Sequence, residues 1–425
     1  MMSKKSPQLR FEGFTDDWEE RKLGDVGDTF TGLTGKTKED FGHGSAKFVT
    51  YVNVFQNPIA TLDQLDAVEI DEKQNQVQKG DVFFTTSSET PEEVGMSSVW
   101  TYDTKNVYLN SFTFGYRPRV SFDLNYMASM LRSPSIRKKI TFLAQGISRY
   151  NISKTKMLEI EIPAPNLSEQ KKIGSFFKLL DDTIALHQRK LDLLKEQKKG
   201  YLQKMFPKNG AKVPELRFAG FADDWEQRKL GDISYKVKEK NKTGEFTETL
   251  TNSAEYGIIN QRDFFDKDIS NAKNLTGYYV VKNDDFVYNP RISNFAPVGP
   301  IKRNKLGRTG VMSPLYYVFR THDIDKNYFE KYFDTVYWHR FMELNGDSGA
   351  RADRFAIKDS VFVEMPIPYP TMDEQQKIGS FFKQLDDTIA LHQCKLDLLK
   401  EQKKAFYKRC LFRAYNYIIT PNKSH

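Results

Sequence analysis

The sequence of 425 residues has only two cysteines, Cys394 and Cys410. On one helix these would lie roughly 24 Å apart, too far for a disulfide. Two cysteines are also too few for a disulfide framework or a cysteine-based zinc site. Long apolar runs are missing as well, and the N-terminal stretch MMSKKSPQLR lacks the apolar core of a signal peptide. We therefore expect a cytoplasmic protein.

Motifs that would indicate an enzyme are equally scarce. GLTGKTK resembles a phosphate-binding loop, but Phe30 stands where the first glycine is required. YNPRI has Arg291 where the methyltransferase element Asn-Pro-Pro-aromatic has its second proline. We expect no catalytic residues, no bound metal and no cofactor on this chain. Four further histidines have no metal-ligand spacing: His43, His322, His339 and His425.

The composition allows folded domains with an excess of positive charge. Hydrophobic residues make up 39% and aromatic residues 13% of the chain, enough for real cores. The net charge of +8 favours a polyanionic partner. Many basic proteins only have solvated lysine faces, so charge alone leaves both interpretations open.

The dominant feature is an internal repeat. PQLRFEGFTDDWEERKLGDV at 7–26 returns as PELRFAGFADDWEQRKLGDI at 214–233, and the long segment 167–206 returns at 372–411. Each copy contains this short motif, a variable region, a proline-rich stretch and a long helix. The predicted boundaries are 1–166 for the first motif and variable domain, 167–206 for a spacer helix, 207–213 for a linker, 214–371 for the second motif and domain, 372–415 for a second spacer helix, and 416–425 for a tail.

Both long segments have apolar residues at alternating steps of four and three, which is typical of a coiled-coil seam. Because the two seams are nearly identical, we expect them to pair with each other, antiparallel, within the chain. The alternative is that each helix packs on its own domain. Ser168 and Asp373 are the predicted N-caps. The predicted interface comprises Ile173, Phe177, Leu180, Ile184, His187, Leu191 and Leu194, with Ile378, Phe382, Leu385, Ile389, His392, Leu396 and Leu399.

The variable regions, called here the first head and the second head, follow the same order of elements. Strand-like stretches such as KFVTYVNVF precede one helix-like stretch, NYMASMLRSPSIRKKITFLA in the first head and NYFEKYFDTVYWHRFMELN in the second. The turn at Lys79–Asp81 corresponds to that at Asn283–Asp285. We predict an α+β fold with two mixed α/β domains in pseudo-two-fold arrangement, separated by two long antiparallel coiled-coil helices.

Polar and basic side chains gather near the ends of the predicted strands. Arginine reads guanine edges, asparagine and glutamine read adenine, and serine or threonine contact either bases or phosphates. Any one of them is more often a plain loop residue, but Arg149 and Arg354 occupy corresponding positions. The candidate DNA-binding residues are Thr85, Thr86, Ser87, Ser88, Gln145, Ser148, Arg149, Tyr150, Asn289, Arg291, Asn294, Arg303, Arg308, Arg351 and Arg354.

These motifs resemble the specificity subunit of a type I restriction-modification enzyme over essentially the whole chain. The resemblance is carried by LRFEGFTDDWEERKLGDV and its copy, and by IPAPNLSEQKKIGSFFKLLDDTIALHQRKLDLLKEQKK and its copy. It implies that each head reads one half of a bipartite, asymmetric double-stranded DNA site, while the helices fix the gap. It also implies a non-catalytic subunit that docks two methyltransferase subunits, which methylate adenine, and two restriction/translocase subunits.

The same resemblance places S-adenosylmethionine, ATP and Mg²⁺ on those partner subunits, and it implies neither a membrane nor a small-molecule substrate. Two other functions remain open from the residues alone. One is a self-contained DNA methyltransferase or nuclease, which would turn over without partners. The other is a non-catalytic protein scaffold, which would show no salt-dependent, sequence-selective DNA binding.

Overall fold

The protein is described by a computed structural model that covers residues 7–264, 272–347 and 353–411. The chain divides into two compact units. Unit 1 comprises Met1–Gln188 and Cys394–His425 and contains the first head. Unit 2 comprises Arg189–Gln393 and contains the second head.

Unit 1 is built on two sheets beside a small helical layer. A four-stranded antiparallel sheet has the order β2-β9-β5-β7, and a three-stranded sheet has the order β4-β3-β8 with β3 and β8 parallel. Two short antiparallel pairs, β1-β11 and β6-β10, complete it. The strands are β1 (Glu19–Lys22), β2 (Gly27–Thr31), β3 (Phe41–Val49), β4 (Leu65–Val68), β5 (Val82–Thr85), β6 (Ser87–Ser88), β7 (Ser97–Val99), β8 (Val107–Leu109), β9 (Thr113–Pro118), β10 (Tyr150–Asn151) and β11 (Glu161–Ala164); the helices are α1 (Leu23–Val26), α2 (Tyr51–Gln56), α3 (Leu124–Leu131), α4 (Pro134–Leu143), α5 (Lys154–Leu158) and α6 (Leu167–Lys204).

Unit 2 repeats this plan. Its four-stranded antiparallel sheet has the order β13-β20-β17-β18, and three antiparallel pairs are β12-β21, β14-β15 and β16-β19. The strands are β12 (Glu226–Lys229), β13 (Ser234–Lys236), β14 (Leu250–Ser253), β15 (Gly257–Asn260), β16 (Tyr279–Val281), β17 (Phe286–Tyr288), β18 (Ile301–Arg303), β19 (Gly310–Met312), β20 (Tyr317–Thr321) and β21 (Pro366–Tyr369); the helices are α7 (Gln261–Phe264), α8 (Lys326–Phe333), α9 (His339–Asn345), α10 (Asp359–Phe362) and α11 (Met372–Cys410).

The same ion pair links the two central strands of each four-stranded sheet. Arg117 forms two hydrogen bonds with the buried carboxylate of Asp81, at 2.8 Å each. Arg320 does so with Asp285, at 2.6 and 2.9 Å. Just before each aspartate the backbone turns through the left-handed region, at Gly80 (φ 95°) and Asp284 (φ 71°). The turn predicted from sequence is thus the start of a shared scaffold.

Side chains of the repeated N-terminal motif bind the first turn of each long helix. Arg10 binds the carboxylate of Glu169 at 2.7 and 2.8 Å, and the indole of Trp18 donates to the same carboxylate at 3.1 Å. Unit 2 has identical distances between Arg217, Glu374 and Trp225. Both glutamates are fully buried. We call each set the carboxylate clamp.

The predicted N-caps Ser168 and Asp373 are wrong. Asn166 accepts the backbone N–H of Glu169 at 2.9 Å, and Thr371 accepts that of Glu374 at 3.4 Å. The helices therefore begin at Leu167 and Met372. The residue two positions before each predicted cap already offers the side-chain oxygen that caps the helix.

Each long helix has a glycine at the point where the N-terminus of a shorter helix, α3 or α8, packs against it. A Cβ on Gly174 would lie 2.3 Å from Asp123 Oδ1, and one on Gly379 would lie 2.5 Å from Asp325 Oδ1. Both aspartates are the N-caps of the packed helix, since they accept the amide protons of Tyr126 and Tyr328 respectively. The glycine of the KIGSFF motif is required for this close approach.

Within each unit, one part of α6 runs antiparallel to one part of α11. In unit 1, Phe176 contacts Phe406 with ring centroids 4.9 Å apart, and Asp181, further along α6, pairs with the earlier Lys403. In unit 2, Lys198 pairs with Asp386 at 2.6 Å and Tyr201 contacts Phe381 at 5.0 Å. The predicted fold class, a mixed α+β chain with long antiparallel helices, is confirmed.

The predicted seam residues are the more protected ones on both helices. Ile173, Phe177, Leu191 and Leu194 are buried on α6, as are Ile378, Phe382 and Leu396 on α11. The remaining seam positions are half-buried: Leu180, Ile184, His187, Leu385, Ile389, His392 and Leu399.

Two predicted elements have different boundaries. The helix-like stretch of the first head forms α3 and α4, because Ser133-Pro134 starts a new helix with proline at its first position. The stretch KFVTYVNVF is a strand only up to Val49, since the Thr50 side chain accepts the amide proton of Asn53 and caps α2. The helix-like stretch of the second head is likewise divided into two helices, α8 and α9.

Candidate nucleic-acid interface

In the first head, the candidate residues come together at the short β6-β10 pair. Tyr150 lies opposite Ser88, and Asn151 lies opposite Ser87. Gln145 and Asn151 exchange backbone hydrogen bonds at 2.9 and 2.8 Å, which closes the loop between them. This loop, residues 145–149, is exposed at every position and carries Arg149.

Not every candidate of this region reaches the surface. Thr85 is fully buried and its hydroxyl accepts the backbone N–H of Met96 at 2.9 Å. Ser88 is 9% exposed and donates to Glu93 at 3.2 Å. Thr86 donates to the carbonyl of Phe112 at 2.9 Å. These three side chains hold the strands in place and leave the loop as the exposed part.

Two exposed apolar side chains that the sequence analysis did not single out lie in this loop or next to it. Ile147 is 96% and Phe112 66% exposed. Phe112 is tied to the site through its hydrogen bond from Thr86, whose own carbonyl accepts the N–H of Ile152 at 3.0 Å. Apolar side chains next to polar ones suit contacts with thymine methyl groups and base faces.

Tyr51 is a further residue that the sequence gave no reason to choose. Its hydroxyl donates to the carbonyl of Ser87 at 3.1 Å. Burial raises the pKa of the Tyr51 phenol, and the positive charge of Arg149 partly opposes that shift. Only the fold brings residues 51, 87 and 149 together.

In the second head, Asn289, Arg291 and Arg354 lie around one cavity of about 580 Å³. Arg291 and Arg354 face each other across an antiparallel bridge. The side chain of Asn289 fixes the local backbone, because it donates to the carbonyl of Asn252 at 2.8 Å and accepts the N–H of Arg291 at 3.0 Å. The exposed side chains of Phe295 and Leu315 line the same cavity.

Arg303 and Arg308 are engaged in ion pairs and do not line that cavity. The side chain of Arg303 is 10% exposed and binds Glu330 at 2.8 Å. Arg308 forms two hydrogen bonds of 2.7 Å with Glu248, and this pairing lowers the pKa of the Glu248 carboxyl. Asn294 is exposed in the adjoining turn. Arg351, also a candidate, lies outside the described residues.

Two further features concern only the part of the chain that the structure describes. There, no three or more His, Cys, Asp and Glu side chains are grouped so that they could hold a metal ion. In the same residues, no helix combines the length and hydrophobicity needed to cross a bilayer.

Comparison with known families decides how these two heads are to be understood. The family model of the type I restriction modification DNA specificity domain matches residues 15–196 and again residues 222–401. Each match takes in one head and most of the helix that follows it. The chain belongs to the type I restriction-modification DNA specificity family. It is a specificity subunit with two target-recognition domains, which confirms the resemblance seen in the sequence motifs.

Individual members of this family resemble the chain along nearly its whole length. A Methanocaldococcus jannaschii protein assigned as the MjaX specificity subunit of a type I restriction enzyme is 24% identical over 418 residues, covering 92% of this chain and 91% of its own. The MjaVIII specificity subunit of the same organism is 22% identical over 294 residues, or 64% of this chain and 66% of its own.

Solved structures share the fold. The S subunit of a type I restriction-modification system from M. genitalium aligns with a TM-score of 0.58 at 14% identity, over 96% of this chain and 99% of its own. A chain from a study of complex assembly and conformational transition of the type I R-M system aligns at 0.51 and 17% identity, over 93% and 98%. The specificity-subunit fold is thus kept with few identical residues.

Proposed function

We propose that the two heads read different halves of one bipartite, asymmetric DNA site, and that the long helices set the number of unread base pairs between them. The observation that supports this is a pair of corresponding positions in the two heads. Arg149 and Arg354 occupy the same place in the repeat, whereas Ser148 is replaced by Asp353. Similar scaffolds with different exposed side chains suit two readers of different sequence.

We also propose that the chain is non-catalytic and acts with two methyltransferase subunits, which methylate adenine, and with two restriction/translocase subunits. S-adenosylmethionine, ATP and Mg²⁺ would be bound by those partners. Support comes from family membership and from the name of the solved type I R-M complex.

Exchange of one head tests the division of labour. The first head, residues 27–166, is replaced by that of another specificity subunit, and methylated adenines are mapped across a genome that expresses the chain with its methyltransferase partner. We expect one half-site to change while the other half-site and the gap stay the same. A change in both half-sites would contradict independent reading.

Two controls separate the proposal from its alternatives. The purified chain alone, given S-adenosylmethionine, Mg²⁺ and DNA, should neither methylate nor cut; turnover would indicate an enzyme in its own right. Insertion of seven residues into each long helix should lengthen the gap and leave the bases read unchanged. Altered base preference after that insertion would contradict a spacer role.

A further inference from the structure

The cavity of the second head contains more than the two arginines at its edge. Its walls include two amide side chains, Asn252 and Gln261, together with the rings of Tyr278, Phe295 and Tyr316. At about 580 Å³ it has room for a flat heterocycle. All of these residues belong to unit 2.

The orientation of the Asn252 amide is fixed by its surroundings. Its nitrogen donates to the carbonyls of Val287 at 2.7 Å and Pro300 at 3.2 Å, so this end of the amide must be the NH₂ group. Its oxygen is buried and has no hydrogen-bond partner among the described residues. Asn252 itself is 2% exposed.

Gln261 repeats this feature on the same cavity. Its side-chain oxygen is also buried without a hydrogen-bond partner in the described part of the chain. Buried carbonyl oxygens are nearly always paired, because an unmade hydrogen bond costs folding free energy. Two residues that line one cavity each carry such an acceptor, which indicates a site for a donor from outside the chain.

The kind of donor follows from the other walls. Aromatic rings favour a flat, stacking ligand, and two carbonyl acceptors favour an amino group. Glu255 also lines the cavity, which disfavours an anionic group inside it, whereas Arg291 and Arg354 suit a phosphate at the edge. We propose that this cavity binds the amino-bearing edge of a nucleobase, with Asn252 and Gln261 as the acceptors. If the base belongs to DNA, the proposal rests on the DNA-reading function.

Cytidine and uridine provide a matched pair of probes, because an amino group in one replaces a carbonyl in the other. Binding of each to the full-length chain can be measured by ligand-observed NMR. We expect cytidine to bind at least about tenfold more tightly than uridine. Equal binding of the two, or binding of neither, would mean that ordered water alone satisfies the acceptors and would overturn the proposal.

The variant Gln261→Met separates a binding role from a structural one. It removes one buried acceptor while keeping the length of the side chain. The ratio of the affinity for cytidine to that for uridine should therefore fall to near one, and the unfolding midpoint should stay the same or rise. Gln64→Met in the first head is the control, because the Gln64 oxygen accepts from Asn57 at 2.7 Å. The control should lower stability and leave the cytidine preference intact. A retained preference in Gln261→Met would overturn the assignment.

Binding measurements with modified DNA test whether the bound base belongs to DNA. In the duplex site bound by the chain with its methyltransferase partner, adenine is replaced by purine and cytosine by pyrimidin-2-one, one position at a time; both analogues lack the amino group. We expect one position in the second half-site to lose about tenfold in affinity in the wild type and to lose nothing further in Gln261→Met.

Together, the nucleoside and DNA measurements also separate this proposal from the DNA-reading function. A cytidine preference without any sensitive DNA position would assign the cavity to a free nucleoside. Sequence-selective DNA binding without cytidine preference or a sensitive position would leave the reading function intact and remove the cavity from it. Absence of selective DNA binding would contradict the reading function alone.

Discussion

Unit 1 and unit 2 complete their cores with side chains of different size at the same two positions of the repeat. In unit 2, Met205 and Phe206 are buried, and the Phe206 ring stacks on Tyr328 with centroids 5.4 Å apart. Unit 1 has Cys410 and Leu411 there, and an apolar pocket of about 200 Å³ remains, lined by Cys410, Trp18 and Phe176 among others. The two copies of the repeat therefore share their backbone fold but differ in how their cores are packed.

Charges next to the paired helices differ in the same way. Asp386 of unit 2 contacts Lys198 and the buried Lys331, which also binds Asp334 at 2.9 Å. The corresponding Asp181 of unit 1 pairs with Lys403 alone among the described ion pairs. The carboxylate clamp, the arginine–aspartate pair of each four-stranded sheet and the glycine contact of each long helix are shared by both units. The two units therefore share the contacts that fix their scaffold and differ in the packing and charges around the paired helices.

The largest effect should come from the feature that the units share. Glu169→Ala and Glu374→Ala each leave an indole N–H, and an arginine whose side chain is only 13% or 15% exposed, without their acceptor. This loss should lower the free energy of unfolding by about 3–5 kcal/mol. Urea unfolding of the full chain measures both. Lys383→Ala, which breaks an exposed pair with Asp387, is the control and should cost less than about 1 kcal/mol. Unequal losses from the two glutamates would show that the clamps are not equivalent.

The next effect should be confined to unit 2. Lys331→Met leaves Asp334 and Asp386 with one ammonium partner each and should cost about 3 kcal/mol at pH 7. Burial by itself would raise the pKa of Asp334, but Lys331 and Lys302 hold it well below its usual range. The contribution of such a carboxylate is complete above its unfolded pKa of about 3.9 and is lost as the pH falls below it.

Unfolding at pH 7, 5 and 3.5 tests this assignment. The difference between wild type and Lys331→Met should be similar at pH 7 and 5 and smaller at pH 3.5. Lys403→Met is the matched change in unit 1 and should cost less than about 1 kcal/mol, because Asp181 is 37% exposed. A penalty for Lys331→Met that grows in acid would contradict the charge explanation.

Arg149→Ala and Arg354→Ala should act on DNA binding. Each should weaken specific binding by about 1–3 kcal/mol if it contacts a base, and only at the half-site read by its own head. A phosphate contact would instead weaken all sequences alike and reduce the salt slope by about one. Titration of the complex with matched and mismatched duplexes at several salt concentrations distinguishes the two; no effect in either assay removes the residue from the interface.

The smallest effect should come from filling the pocket of unit 1. Cys410→Met introduces the residue that unit 2 has at this position and should raise the free energy of unfolding by about 1 kcal/mol. Burial raises the pKa of the Cys410 thiol to about 11, so a thiol reagent should modify the exposed Cys394 first. A destabilised Cys410→Met variant would show that the pocket cannot accept the longer side chain.

Sequence alone was sufficient for features that depend on repetition and periodicity. The duplicated motif, the long helices and their direction all follow from patterns that one chain displays twice. The role of the motif was beyond reach, because Arg10 and Glu169 are distant in sequence and only the fold makes them a clamp. The caps Asn166 and Thr371 were missed because several polar residues precede each helix and geometry chooses among them.

The sequence indicated the candidate DNA-binding residues, and the fold decides which of their side chains are exposed. Arg149 and Arg354 were chosen because they occupy corresponding places in the repeat. Arg303 and Arg308 look the same in sequence, yet Glu330 and Glu248 bind them from other elements. The unpaired oxygens of Asn252 and Gln261 could not be inferred at all, because an unmade hydrogen bond has no sequence signal.

The division of the chain has a consequence for biosynthesis. Unit 2 is one continuous stretch, Arg189–Gln393, whereas unit 1 needs Cys394–His425 as well as its N-terminal part. Leu411 belongs to the hydrophobic core of unit 1, and Phe406 and Tyr407 pack against it. On the ribosome, the head that is translated first must therefore wait for the last helix to emerge before its core is complete, and the head translated second can finish folding earlier.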